Sequence, residues 1–189
     1  MAQDEMIELV IIGGSSGSLD ALLKILPKLR ADFTIPIVIV MHRNISSDSM
    51  LEEVLASRTI LKVVEAEEKE TVTSGYIYIA PPDYHLLIEK DHTISLDYSE
   101  KVNYSRPSID VSFESAADVY REKLACIILS GANADGTKGI VYAKSVGSKI
   151  IIQDTKEAIV PFMPEHAIAH TSSDNVLSIA GIISFLNAL

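Results

Sequence analysis

The chain has 189 residues, carries a formal net charge of −10, and is 48% hydrophobic and 22% charged. That length suits one domain with a substantial core, and the composition excludes a disordered chain. The negative balance excludes a protein that meets nucleic acid or anionic lipid through a general positive field.

No apolar run approaches the roughly 18 residues of a membrane span. The acidic start, MAQDEMIE, lacks the basic-then-apolar layout of a secretory signal. The single cysteine, Cys126, allows no internal disulfide, fits a reducing compartment and sits in the apolar run LACIIL as core filler. The expectation is a cytoplasmic protein without membrane insertion, one domain over 1–189.

Apolar strand-like runs fall at 8–12, 36–41, 76–80, 124–129 and 149–152. Helical periodicity falls at 18–30, 48–57, 107–122, 137–147 and 177–188. In the first helix Leu19, Leu22, Leu23, Leu26 and Leu29 line one face. In the third, Ile109, Phe113, Ala116, Ala117 and Tyr120 do so, with Pro107 in a first turn. The acidic run EAEEKE at 65–70 reads as solvated surface. Strands alternating with helices across short joins predict an α/β fold, doubly wound, with a mostly parallel sheet covered on both faces. The exception is 75–97, where GYIYIA, YHLLIE and HTISLD leave no room for crossover helices and predict an antiparallel hairpin.

In such sheets ligands gather beyond the carboxyl ends of the strands. Three polar segments directly follow predicted strands: Gly13–Ser18, His42–Ser47 and Ser130–Gly136. The first fits neither the dinucleotide G-x-G-x-x-G nor a Walker loop, which needs a lysine beside Ser or Thr. Anion binding at the following helix start stays open. Gly13 to Gly17 does fit G-x-S-x-G, with Ser15 in the middle. There the flanking glycines clear space for the hydroxyl, and the next N–H can face an oxyanion. Read alone, the segment is equally a capped turn.

A nucleophilic serine needs a base, and the base needs an orienting acceptor. Of five histidines, His85 and His92 fall in the hairpin region, where alternation places them on its surface. His166 and His170 share a helix face without the Cys or acidic neighbours of a metal site. His42 ends the apolar run IPIVIVM, on the same side of the sheet as Ser15. Asp135, in LACIILSGANADGTKGI, follows another strand and is placed to accept from the distal nitrogen of His42, though a helix-capping role is also open. The order Ser, His, Asp differs from the Ser, Asp, His order of α/β-hydrolases and disfavours that fold.

Together these segments resemble the catalytic domain of the CheB family, the bacterial chemotaxis protein-glutamate methylesterases. IIGGSSGSLDAL is similar to the family's Gly-Ala-Ser-Thr-Gly-Gly turn, IVIVMHRN to the strand ending in its histidine, and ILSGANADGTKGI to its Gly-Met-Gly-x-Asp-Gly loop. GYIYIAPPDYHLLI, SRPSIDVSFESAA and QDTKEAIVPFMPEHAI extend the likeness over nearly the whole chain.

The resemblance implies catalytic roles for Ser15, His42 and Asp135, and an oxyanion held by the N–H groups of Ser16 and Ala132. It implies hydrolysis of glutamyl methyl esters on methylated chemoreceptors with release of methanol, and glutamine deamidation by the same route, with no metal or organic cofactor. Two departures stand out: Arg43-Asn44 follow the histidine where Met-Pro is common, and Ala132 replaces the loop methionine. The family usually carries an N-terminal receiver domain with a phosphoacceptor aspartate, and this chain begins about where the catalytic domain begins. Phosphorelay control is therefore expected to be absent or supplied by a separate response regulator or signalling protein. Alternative readings are a non-catalytic binding module that keeps the fold, or a serine hydrolase acting on another ester.

Overall fold

A computed structural model describes residues 6–43, 50–171 and 175–189. In chain order the elements are β1 (Leu9–Gly14), α1 (Ser18–Ile25), β2 (Ile37–Met41), α2 (Leu51–Ala56), β3 (Lys62–Glu65), β4 (Tyr76–Ile79), β5 (His85–Ile88), β6 (Ile94–Asp97), α3 (Ile109–Tyr120), β7 (Leu124–Ile128), α4 (Thr137–Ser145), β8 (Lys149–Gln153), α5 (Phe162–Thr171), β9 (Val176–Leu177) and α6 (Ile179–Ala188). Seven strands form a sheet in the order β3-β4-β2-β1-β7-β8-β9, parallel at every pairing.

The central strands are apolar throughout because both faces are covered. Along β1, Leu9 and Ile11 enter one core and Val10 and Ile12 the other, the period-2 alternation of a strand. Leu22 and Ile25 of α1, Leu51 and Leu55 of α2, and Ile182 and Leu186 of α6 close one side. Phe113 of α3, Ile140 of α4, Met163 and Ala167 of α5, and Leu86 and Ile94 of the hairpin close the other. Cys126 is fully buried there, and burial pushes its thiol pKa up, so it stays protonated and inert.

The doubly wound architecture follows the sequence pattern, with local differences. GYIYIA joins the main sheet as β4, and among the named strands only β5 and β6 pair antiparallel, with an isolated antiparallel bridge from Thr71 to Thr93 beside them. Two strands have no counterpart in the predicted set: β3, whose outer positions are exposed, and β9, which is two residues long. The helix α5 also lies outside it, although His166 and His170 do share a face. The helix start predicted at Pro107 falls at Ile109, and residues 48 and 49 of the second predicted helix lie outside the described residues.

The turn after β1 requires glycine at position 17. Gly17 has φ 84°, and a Cβ there would lie 2.6 Å from Ser130 Oγ and 2.7 Å from Ile159 Cβ. Gly75 has the same φ of 84° but open space around it. Replacing either by alanine should cost about 1–2 kcal/mol of backbone strain. Gly17→Ala carries the collisions in addition, so in urea denaturation it should lose clearly more stability than Gly75→Ala. Equal losses would mean that the turn yields freely at this contact.

Candidate active site

The sheet register delivers three loops to one rim. Gly14 is paired with Met41 and Gly13 with Ile128, so Ser15, His42 and Ser130 leave the ends of adjacent strands. Backbone bonds continue the ladder for one step: His42 N–H donates to Gly14 O at 3.3 Å and Ser15 N–H to Ser130 O at 2.9 Å. The Ser15 carbonyl is pinned in turn by the N–H and hydroxyl of Ser18, at 3.0 and 2.6 Å. The left-handed step of this turn falls on Gly17 and not on Ser15, unlike a strained nucleophile elbow.

Asp135, just before α4, is fully buried and surrounded by donors. Its Oδ2 accepts from His42 Nε2 and from Ile109 N–H, each at 2.7 Å. Its Oδ1 accepts from the Ser108 hydroxyl at 2.9 Å and from the N–H groups of Asp110 and Gly136 at 3.1 Å. Ser108 occupies the N-cap of α3, yet its side chain does not cap the helix. The carboxylate of Asp135 takes that place, meeting the free N–H groups and the positive end of the helix. Burial alone would raise its pKa; the bonds from His42, Ile109 and Asp110 outweigh burial and hold the carboxyl below the ordinary aspartate value.

Gly13 makes this approach possible. A Cβ there would stand 2.4 Å from Ile109 Cγ2, so a side chain would push the start of α3 away from the rim. His85 supports the same helix start from behind. It is 1% exposed, accepts from Ser108 N–H at 3.1 Å through Nδ1, and donates from Nε2 to Glu100 O at 3.0 Å. This corrects the surface placement drawn from alternation, because the inner face of the hairpin packs against α3. His92 is exposed, as expected.

Ser16 and Ala132 are both exposed, on the loops that flank Ser130. Among the described residues neither N–H donates to a protein acceptor. The two loops are tied together by Ser130, whose buried hydroxyl donates to Ser16 O at 2.7 Å and accepts from Val160 N–H at 2.8 Å. Gly131 N–H donates to Val160 O at 3.0 Å. Arg43, next to the histidine, turns away into an ion pair with Glu65, its side chain 5% exposed. Asn44 lies outside the described residues.

Sequence reasoning missed two members of the site. Asn133 donates from Nδ2 to His42 Nδ1 at 3.3 Å, and its Oδ1 accepts Asp135 N–H at 3.1 Å. Its signal was a polar side chain standing where the Gly-Met-Gly-x-Asp-Gly pattern has its second glycine. The other is Asp110, 3% exposed, which accepts Gly139 N–H at 2.8 Å and Asn103 Nδ2 at 2.9 Å. Burial, and then the nearby Asp135 charge, push its pKa up to about 6. Among the described residues no cluster of His, Cys, Asp and Glu is arranged to hold a metal ion. No helix among them is long and apolar enough to cross a membrane.

A serine turn, a strand-end imidazole and a buried carboxylate on one rim of a doubly wound sheet define a class of site suited to acyl transfer. Residues 10–186 match the family model described as CheB methylesterase, and the chain belongs to that family. It is 49% identical over 175 residues to a protein of Leptospira interrogans, covering 93% of this chain and 91% of that one. It is 37% identical over 173 residues to the protein-glutamate methylesterase/protein-glutamine glutaminase of Thermotoga maritima, covering 90% of this chain and 50% of that one. The fold superimposes on the crystal structure of the Thermotoga maritima CheB methylesterase catalytic domain with a TM-score of 0.91 at 36% identity, over 96% of this chain and 98% of that one.

Asp110 gives the site a measurable cost. Its carboxyl is raised from 3.8 to about 6 in the folded protein, so the charged form opposes folding above that range. The cost grows as pH rises from 3.8 to about 6 and vanishes below 3.8. The stability of the parent relative to Asp110→Asn should therefore fall by about 1–3 kcal/mol between pH 4 and pH 7. The asparagine has one acceptor for the two donors, so this pH dependence, and not the absolute difference, reads the carboxyl. A difference that stays constant between pH 4 and pH 7 would contradict the raised carboxyl.

Proposed function

We propose that this chain is a serine esterase that hydrolyses glutamyl methyl esters on methylated chemoreceptors, with Ser15, His42 and Asp135 as a catalytic triad. The observation that carries the reading is the 2.7 Å bond between His42 Nε2 and the buried Asp135 carboxylate, made at the strand end beside Ser15. It commits Nε2–H to the carboxylate and leaves Nδ1 as the basic nitrogen of the neutral ring. The names of relatives such as the Thermotoga maritima protein support the ester and the amide as substrates.

In this mechanism Ser15 Oγ attacks the side-chain ester carbonyl while His42 Nδ1 takes its proton. Asp135 stays ionised and stabilises the imidazolium. The unengaged N–H groups of Ser16 and Ala132 receive the oxyanion, a contribution of about 3–4 kcal/mol for a donor of this kind. His42 returns the proton to the methoxide, methanol leaves, and water activated by the same nitrogen hydrolyses the acyl-enzyme to glutamate. With glutamine the leaving group is ammonia and the product is again glutamate.

The test is methanol release from methylated receptor. Ser15→Ala should fall below about 10⁻⁴ of the parent rate, and Asp135→Asn should lose on the order of 10³- to 10⁴-fold. His42→Ala should lose a comparable factor. Parent-like activity in Ser15→Ala would remove the serine from the mechanism, and no release by the parent itself would favour a binding module.

A further inference from the structure

The nitrogen that must take the serine proton is already occupied. Asn133 Nδ2 lies 3.3 Å from His42 Nδ1, and the amide cannot turn over without loss. Its Oδ1 is held by Asp135 N–H at 3.1 Å, an Asx turn within the loop, so the NH₂ end must face the ring. The ring is thus a donor at Nε2, to Asp135, and an acceptor at Nδ1, from Asn133. A neutral imidazole has one acceptor nitrogen with one lone pair in the ring plane. Among the described residues Ser15 Oγ makes no hydrogen bond to that ring. The hydroxyl of Ser15 and the amide of Asn133 therefore compete for a single position.

We infer that Asn133 is a latch on the catalytic base: its amide holds Nδ1 of His42 in the substrate-free protein and gives way to the Ser15 hydroxyl when the reaction begins. This rests on the esterase reading above. Asn133 is a positioning residue: it acts only through His42, whose Nδ1 it holds until the reaction begins. While latched, it fixes the useful tautomer, with the proton on Nε2, and keeps the ring in the plane of the Asp135 contact. Its release exchanges one neutral hydrogen bond for another, so the restraint is small. Removing a bond of that kind is worth on the order of twofold to tenfold in rate.

Two variants separate the latch from the loop it belongs to. Asn133→Ser keeps a short side chain able to accept Asp135 N–H but too short to reach the ring, and Asn133→Ala lacks both contacts. The parent and both variants are treated with a fluorophosphonate, and labelling at Ser15 is followed by mass. In parallel, the histidine ring nitrogens are observed by ¹⁵N NMR, with His42 assigned by comparison with His42→Gln. Labelling should accelerate about twofold to tenfold in both variants. The His42 Nδ1 resonance should move towards that of an unbonded imine nitrogen, with the proton remaining on Nε2. Labelling of the parent that Asn133→Ser does not accelerate overturns the latch alone, as does an Nδ1 resonance that stays in place. No labelling of Ser15 in any of the three proteins overturns the esterase reading, and the latch with it.

Discussion

A buried carboxylate at the start of a helix organises this site. Asp135 is fully removed from solvent, a position that would ordinarily drive a carboxyl to its neutral form. It is kept charged because the first turn of α3 presents N–H groups that no residue of its own segment caps, and because His42 donates from the other side. The two needs are complementary: the helix start lacks acceptors and the carboxylate lacks water. Satisfying both fixes the angle at which α3 meets the sheet, and Gly13 supplies the clearance. His85 and Ser108 then hold the helix start from behind.

From that anchor the rest of the rim follows. A parallel register places the ends of β1, β2 and β7 side by side, and Ser130 binds the loops of the first and third. The stiffness lies in the scaffold, while the N–H groups of the exposed Ser16 and Ala132 are left unpaired among the described residues. Unpaired donors at a solvent-facing rim cost little, since water satisfies them until a substrate oxygen replaces it. The second buried carboxylate, Asp110, is the opposite case. Its charge is opposed by burial and by Asp135, yet it binds the first turn of α4 through Gly139 and the 98–106 loop through Asn103. Precision at the rim is thus obtained at some expense of stability.

Much of this was legible in the chain. The apolar runs before Ser15 and His42 had the length and purity of buried parallel strands, so the polar residues that ended them had to emerge at the rim. Asp135 was visible as the acid in a glycine-flanked loop after a third such run. Short or mixed segments were less readable. β3 alternates too weakly because only its centre is buried. In α5 two rows compete for attention: Met163, Ala167 and Thr171 face the core, while Phe162, His166 and His170 stack along another side. His85 misled because alternation gives two faces without saying which one is covered. Asn133 and Asp110 act through contacts between segments about 30 to 90 residues apart, which no local pattern encodes.

The most direct measurement is a ¹³C NMR titration of the Asp135 carboxyl carbon in the folded protein, assigned with Asp135→Asn. The midpoint should fall below the ordinary value of 3.8, because donors from α3 and His42 outweigh burial. A midpoint above 3.8 would show that burial prevails over those donors, and would contradict the claim that the helix start and His42 stabilise the charge.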